Sequence, residues 1–300
     1  MHHVLSALTA INTRHPNKIE RLSMFARCIT KDPHGFDPNS DTGRILLQAL
    51  KILDSQVRES DPHTLALSGA EALTELYYYF GLLRDDLWNF VTCTGITANE
   101  ADSQPLGYLT GAYREQVTLN LPLREVVRID EAYAAGQVVY VVENSGVYSA
   151  LLDLWRDFCE EQGFKEMPPN PPLVCTHGQF KLASLLLLDK LAASGTLIYY
   201  SGDFDPEGLS MAERLLQRYP GQTKAWHYTL EAYQLSRSDR VLSPQRLKQL
   251  DRVSSPELAP LKEKLLKTGL AGYQEGILSD LWCDVKQSMQ GLKGANLRES

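Results

Sequence analysis

Thr196-Leu-Ile-Tyr-Tyr-Ser-Gly-Asp-Phe-Asp-Pro-Glu-Gly208 is the stretch on which the reading of this chain turns. Residues 196–200 form a short run of apolar, aromatic and β-branched side chains, the pattern of a buried strand. After Ser201 the run ends in two carboxylates at alternate positions, Asp203 and Asp205. Side chains two apart on an extended chain point the same way. Two like charges aimed at one place repel, and a divalent cation between them relieves the repulsion. Taken alone, Asp205 before Pro206 also reads as a helix N-cap followed by proline at the first helical position.

Working outward, the same rhythm repeats. Val138-Val-Tyr-Val-Val142 is a continuous apolar run of the kind buried on both faces of a sheet. It precedes an amphipathic helix over 147–162. A proline-rich connector, 168–172, leads to a short strand at 173–176 and a helix at 179–193. The 196–200 strand is followed by a helix at 209–219 and a fourth strand at 224–229. Helical patterns then run through 244–251, 256–267 and 274–289. Strand–helix alternation predicts an α/β domain, a parallel sheet flanked by helices. The first ninety residues instead read as helical, over 18–30, 42–59 and 64–82, with Asp61-Pro-His63 as a turn. Strand character appears at 87–93 and 116–122. The expected organisation is a mainly helical N-terminal domain with a few strands over 1–127, binding DNA or a partner, and a catalytic α/β domain with a helical extension over 128–300.

Ligands of open α/β sheets bind beyond the carboxyl ends of the strands. The first core strand ends in Glu143-Asn144-Ser145-Gly146, the second in Thr176-His177-Gly178-Gln179, the third in Gly202-Asp203-Phe204-Asp205. If the strands are neighbours, Glu143, Asp203 and Asp205 share one rim. Each residue has a plainer reading by itself: Glu143 as a loop carboxylate, His177 as a turn or core histidine, Gly178 as a turn glycine, and Tyr77, Tyr78 and Tyr79 as packing. The conjunction of three acids at strand ends carries the functional reading.

Composition narrows the classes. The chain has 300 residues, 43% of them hydrophobic and 22% charged, with net charge −7. That sign argues against autonomous non-specific binding to nucleic acid. The charge is uneven: residues 211–270 carry a net +5 and the rest −12. Such a stretch reads either as solvated helix faces or as a phosphate-contacting surface. Five scattered cysteines without a CxxC pair speak against a zinc ribbon and a disulfide framework. No signal-like start or membrane-length apolar run is present, so a cytoplasmic protein without membrane contact is expected.

The ordered set Glu143, Gly178 and Asp203-x-Asp205-x-x-Gly208 resembles a Toprim domain, the metal-binding fold of topoisomerases, primases and some nucleases. More locally, Val142-Glu-Asn144, Leu173-Val-Cys-Thr-His-Gly-Gln179 and Gly202–Gly208 resemble the C-terminal domain of an uncharacterised bacterial family. Residues 27–43, 80–85 and 117–123 resemble its N-terminal part. That family is similar to the nuclease subunit of Wadjet-type plasmid-defence systems, which act with a condensin-like SMC complex. The resemblance covers most of the chain, which begins later than typical members, so an N-terminal element is expected to be missing.

The resemblance implies a magnesium-dependent DNA endonuclease, with manganese as an alternative ion. Asp203 and Asp205 are expected to hold the metal. Glu143 shares it or moves a proton, and Glu275 is a further candidate ligand; Gly178 and Gly208 are supporting residues. Glu207 reads as an exposed first-turn acid favourable to the helix dipole. DNA, the SMC subunits and a second copy of the chain are the expected partners. Three alternatives stay open: a topoisomerase-like transesterase using a tyrosine, a non-catalytic Toprim-shaped assembly subunit, and a DxD phosphohydrolase. The last fits poorly, because the motif falls on the third strand rather than opening the domain.

Overall fold

The computed structural model describes residues 2–13, 19–58, 69–164 and 166–296. By internal contacts the chain divides into two compact units, Met1–Asn89 and Phe90–Ser300. The first is mainly helical, with helices His2–Thr13, Leu22–Thr30, Asp41–Arg58 and Gly69–Tyr79. A two-residue parallel pairing joins Glu20–Arg21 to Leu82–Leu83. Phe25, Phe36, Leu46, Leu50 and Tyr77 are among the side chains that close its core. Tyr77 is thus a packing residue, its hydroxyl pushed up to about 12 by burial. The expected turn at Asp61-Pro-His63 lies outside the described residues, as do Lys18, Glu59 and residues 64–68 of the expected helices.

The second unit is built on a six-stranded sheet. In chain order its strands are β1 (Phe90–Thr94), β2 (Leu119–Pro122), β3 (Val138–Val142), β4 (Leu173–Cys175), β5 (Leu197–Ser201) and β6 (Thr223–Ala225). Across the sheet they lie in the order β6-β5-β3-β4-β1-β2. The four strands from β6 to β4 are parallel, while β1 pairs antiparallel with both β4 and β2. The sequence reading drew the domain boundary at 127/128. In the structure β1 and β2, which precede that point, complete the sheet of the second unit. Their backbone hydrogen bonds go to β4 and to each other, a long-range pairing that local pattern does not reveal.

The strand and helix patterns translate directly into burial. Residues 139–142 of β3 are all buried, as a strand covered on both faces requires. The helix Ser145–Glu161 buries Val147, Tyr148, Leu151, Trp155, Phe158 and Cys159, one helical stripe. Helix Leu182–Ala193 is apolar nearly all round and is buried along most of its length. Each large aliphatic or aromatic side chain so buried contributes about 1.5–3 kcal/mol relative to exposure. Polar ties add register. The Arg218 guanidinium meets the Asp189 carboxylate through two 2.8 Å bonds, joining helix Pro206–Arg218 to helix Leu182–Ala193. Asp284, on the C-terminal helix Leu278–Asn296, accepts from Trp226 Nε1 at 2.8 Å beyond β6.

Two small antiparallel pairings, Ile96–Asn99 with Glu131–Ala134 and Arg237–Val241 with Leu270–Gly272, carry no strong strand pattern in sequence. The second of these matters for the site. Gly272 exchanges two 3.0 Å backbone hydrogen bonds with Phe204, so the 272–275 segment lies beside the end of β5. No described helix is long and apolar enough to cross a membrane.

Candidate functional site

The strand order brings two of the predicted acids, Glu143 and Asp203, together. From β3 the chain moves to β4 on one side; from β5, on the other side of β3, it moves away to β6. Adjacent strands whose connections leave in opposite directions form a switch point, where a crevice opens beyond their carboxyl ends. Glu143 stands immediately after β3 and Asp203 two residues after β5. Glu143 Oε2 accepts the backbone N–H of Asp203 at 3.2 Å. The Glu143 N–H in turn donates to the Ser201 carbonyl, extending the pairing of the two strands by one residue.

Gly202 permits this approach. A Cβ built there would lie 2.5 Å from Glu143 Oε2, 2.7 Å from the Tyr200 hydroxyl and 2.9 Å from the Tyr228 hydroxyl. The carboxylate therefore sits over a bare backbone, walled by two buried tyrosines. Burial raises Glu143 from its ordinary value to about 7, with the Asp203 and Asp205 charges adding to the effect. Asp203 rises to about 6, again chiefly through burial, with Asp205 and Glu275 contributing. Its Oδ1 accepts the Gln274 N–H at 2.9 Å, which partly offsets that rise. Gln274 is fully buried, and its Oε1 accepts the Asn144 N–H at 3.2 Å, so it bridges the ends of β3 and β5.

Asp205 serves two partners already. Its Oδ1 caps helix Pro206–Arg218 by accepting the Gly208 N–H at 2.8 Å. Its Oδ2 accepts from Arg246 Nη2 at 2.5 Å. Burial nevertheless holds its pKa above the ordinary value. Glu207 is no idle surface acid. Arg246 reaches it through Nε and Nη2, and Gln249 adds a bond at 3.1 Å. Burial would raise the Glu207 pKa, but the guanidinium more than compensates and lowers it.

The other predicted residues fall as follows. Gly208 is at the third position of its helix, where a Cβ would lie 2.1 Å from the Asp203 carbonyl oxygen. Gly178 adopts a left-handed φ of 86°, and its N–H donates to the Glu143 carbonyl at 3.2 Å. Glu275 lies in the turn Gln274–Ile277 at the edge of the cluster, exposed, with Oε1 accepting from Asn144 Nδ2 at 2.5 Å. His177 is a turn histidine, with Nε2 on the Thr92 hydroxyl at 2.6 Å and its ring edge-on to Phe90. Arg246, Gln274, Tyr200 and Tyr228 escaped the sequence reading. Arg246 lies 41 positions from Asp205 and Gln274 lies 71 from Asp203, and no local pattern links such pairs.

Whether a divalent cation suits these residues can be judged from the donors. They are all carboxylate oxygens, the donors a hard ion takes. Glu143 and Asp203 are partly buried and mutually repelling, which a cation would relieve. Asp205 joins them only if Arg246 gives up its Oδ2. Among the described residues, no group of three or more His, Cys, Asp or Glu side chains is arranged to hold a metal ion as it stands.

The fold and site together define an α/β protein with a carboxylate cluster at the switch point of a mostly parallel sheet. Residues 119–285 match the family described as "Protein of unknown function C-terminus (DUF2399)", and the chain belongs to that family. Residues 1–98 match the model described as "Protein of unknown function N-terminus (DUF3323)". A search of curated proteins found no match.

Proposed function

We propose that this chain is a divalent-metal-dependent DNA endonuclease of Toprim type, the effector subunit of an SMC-condensin-like complex that acts against plasmids. The observation that carries the reading is the placement of Glu143 beside Asp203, with Asp205 next along the chain, at the switch point of the sheet. The order of these acids along the chain also follows the Toprim pattern. Glu143, Asp203 and Asp205 would hold magnesium or manganese, with Glu275 at the margin. The bound ion would neutralise charge developing on the phosphoryl oxygens. Glu143 would either share that ion or, left off it, move a proton to or from the reacting oxygen. Gln274 and Gly202 fix where the two carboxylates stand.

Hydrolysis is favoured over transfer to a tyrosine. Tyr200 and Tyr228, whose hydroxyls flank the Glu143 carboxylate, are buried, and burial drives both hydroxyls well above their ordinary pKa. Neither is placed to attack a DNA backbone. The net charge of −7 fits an enzyme to which a partner delivers DNA. The experiment is cleavage of circular and linear DNA by the chain with and without its SMC partners, in magnesium and in chelator. The reading requires metal-dependent cleavage that Asp203→Ala removes.

A further inference from the structure

Arg246 belongs to the basic stretch of the sequence, yet it faces inward to the acids. Ser243 and Pro244 start the short helix Pro244–Leu247, with the Ser243 hydroxyl accepting the Arg246 N–H at 3.3 Å. Further along this arm, the buried Glu213 accepts from the Ser254 hydroxyl at 2.8 Å and the Ser255 N–H at 3.0 Å. The arm is thereby fastened to helix Pro206–Arg218 through Glu213. Nearer its start the Arg246 guanidinium spans two carboxylates. Nε stands 3.1 Å from both Glu207 oxygens, and Nη2 stands 2.5 Å from Glu207 Oε2 and 2.5 Å from Asp205 Oδ2. One nitrogen, Nη2, bridges the two acids, and the planar guanidinium adds a second tie to Glu207 through Nε.

The division of labour between the acids is unequal. Glu207 lies outside the group of acids that meets at the switch point, and most of the guanidinium's bonds go to it. Asp205 receives one N–H, on the oxygen that its capping role leaves over. We propose that Arg246 is a positioning residue that acts as a resident counter-cation: it holds Asp205 Oδ2 in the metal-free chain and leaves that oxygen when a divalent cation binds, while Glu207 keeps hold of it. The proposal rests on the reading of the cluster as a cation site. It accounts for an acid at 207 and an arginine at 246 together: without Glu207 the guanidinium would keep only its one bond to Asp205, and without Arg246 the Glu207 carboxylate would keep only Gln249.

The test is direct manganese binding, followed by electron paramagnetic resonance of the free ion, without DNA or activity. Wild-type chain, Asp203→Asn, Arg246→Gln and Arg246→Lys are compared at one pH and ionic strength, with folding checked by circular dichroism. Arg246→Gln is expected to bind manganese more tightly than wild type, on the order of tenfold for one charge-assisted bond no longer in competition. Arg246→Lys, which keeps the charge but lacks the second tie to Glu207 that Nε makes, is expected to tighten binding by a smaller factor and serves alone if the glutamine variant does not fold. Asp203→Asn is expected to lose binding. If Asp203→Asn loses binding while neither Arg246 variant tightens it, the cation site stands and the role of Arg246 is overturned. If no protein binds manganese, the cation site itself fails and the role of Arg246 with it.

Discussion

Glu143 and Asp203 are 60 residues apart in sequence and joined by one 3.2 Å hydrogen bond, from the Asp203 backbone N–H to Glu143 Oε2. That bond places one carboxylate against the chain that carries the next. Glu143→Gln keeps the acceptor and the shape but removes the charge and the titrating proton. It is expected to fold normally and to lose DNA cleavage by about 10²–10⁴-fold, the usual range for a positioned acid or base. The comparison is single-turnover cleavage beside a circular dichroism spectrum. Loss of less than tenfold would remove Glu143 from the chemistry.

The same burial has a thermodynamic signature. Glu143 rises from 4.5 to about 7 and Asp203 from 3.8 to about 6 on folding. A carboxyl that binds its proton more tightly in the folded state stabilises the fold at pH below its unfolded value. That stabilisation is lost as pH rises through its folded value. For the metal-free chain, these two groups are therefore expected to lower thermal stability between about pH 4 and pH 7, by an amount on the order of 1–3 kcal/mol after solvent screening. Melting temperatures of wild type and Glu143→Gln across that range check this. The wild type is expected to fall more steeply, and parallel curves would contradict the burial of the pair.

Two glycines six residues apart are expected to respond differently. A Cβ at Gly208 would strike the Asp203 carbonyl oxygen at 2.1 Å, backbone against backbone. Gly208→Ala is therefore expected to cost about 1–3 kcal/mol of stability, read from a denaturant titration. At Gly202 the nearest atoms are side-chain ends rather than backbone: the Glu143 carboxylate, which can swing aside, and the Tyr200 and Tyr228 hydroxyls behind it. Gly202→Ala is expected to keep most of its stability and lose activity through a displaced carboxylate. Equal destabilisation by the two variants would contradict this contrast.

Glu213 anchors the arm that carries Arg246. It is 5% exposed and accepts from Gln217, Ser254 and Ser255. Glu213→Ala leaves the half-buried Ser255 N–H without its charged acceptor, at about 1–3 kcal/mol. It is expected to increase protease sensitivity between residues 243 and 255 before the rest of the chain is attacked. Uniform digestion would show that the arm is held by other contacts.

The alternating pattern from residue 138 onward made the parallel strands and their helices legible, because continuous apolar runs and helical stripes are local signals. β3 and β5 are the clearest examples. β1 and β2 were recognisable as strands, but not as members of this sheet, since antiparallel pairing with β4 is a long-range event. At the site, Glu143 and Asp203 could be grouped from their positions at strand ends. Asp205 carried two readings in sequence, and the structure shows its capping role in full. Arg246 and Gln274 carried no signal, because a charge in a basic stretch and a glutamine in a turn are ordinary surface residues until the chain folds them onto Asp205 and Asp203.

The measurement closest to the central claim is cleavage of covalently closed circular DNA by the chain together with the proposed SMC partners, comparing wild type with Asp203→Asn in magnesium and in chelator. Strand breaks with wild type in magnesium alone, and none with Asp203→Asn under any condition, are the expected result. Equal cleavage by Asp203→Asn, or cleavage that persists in chelator, would contradict it.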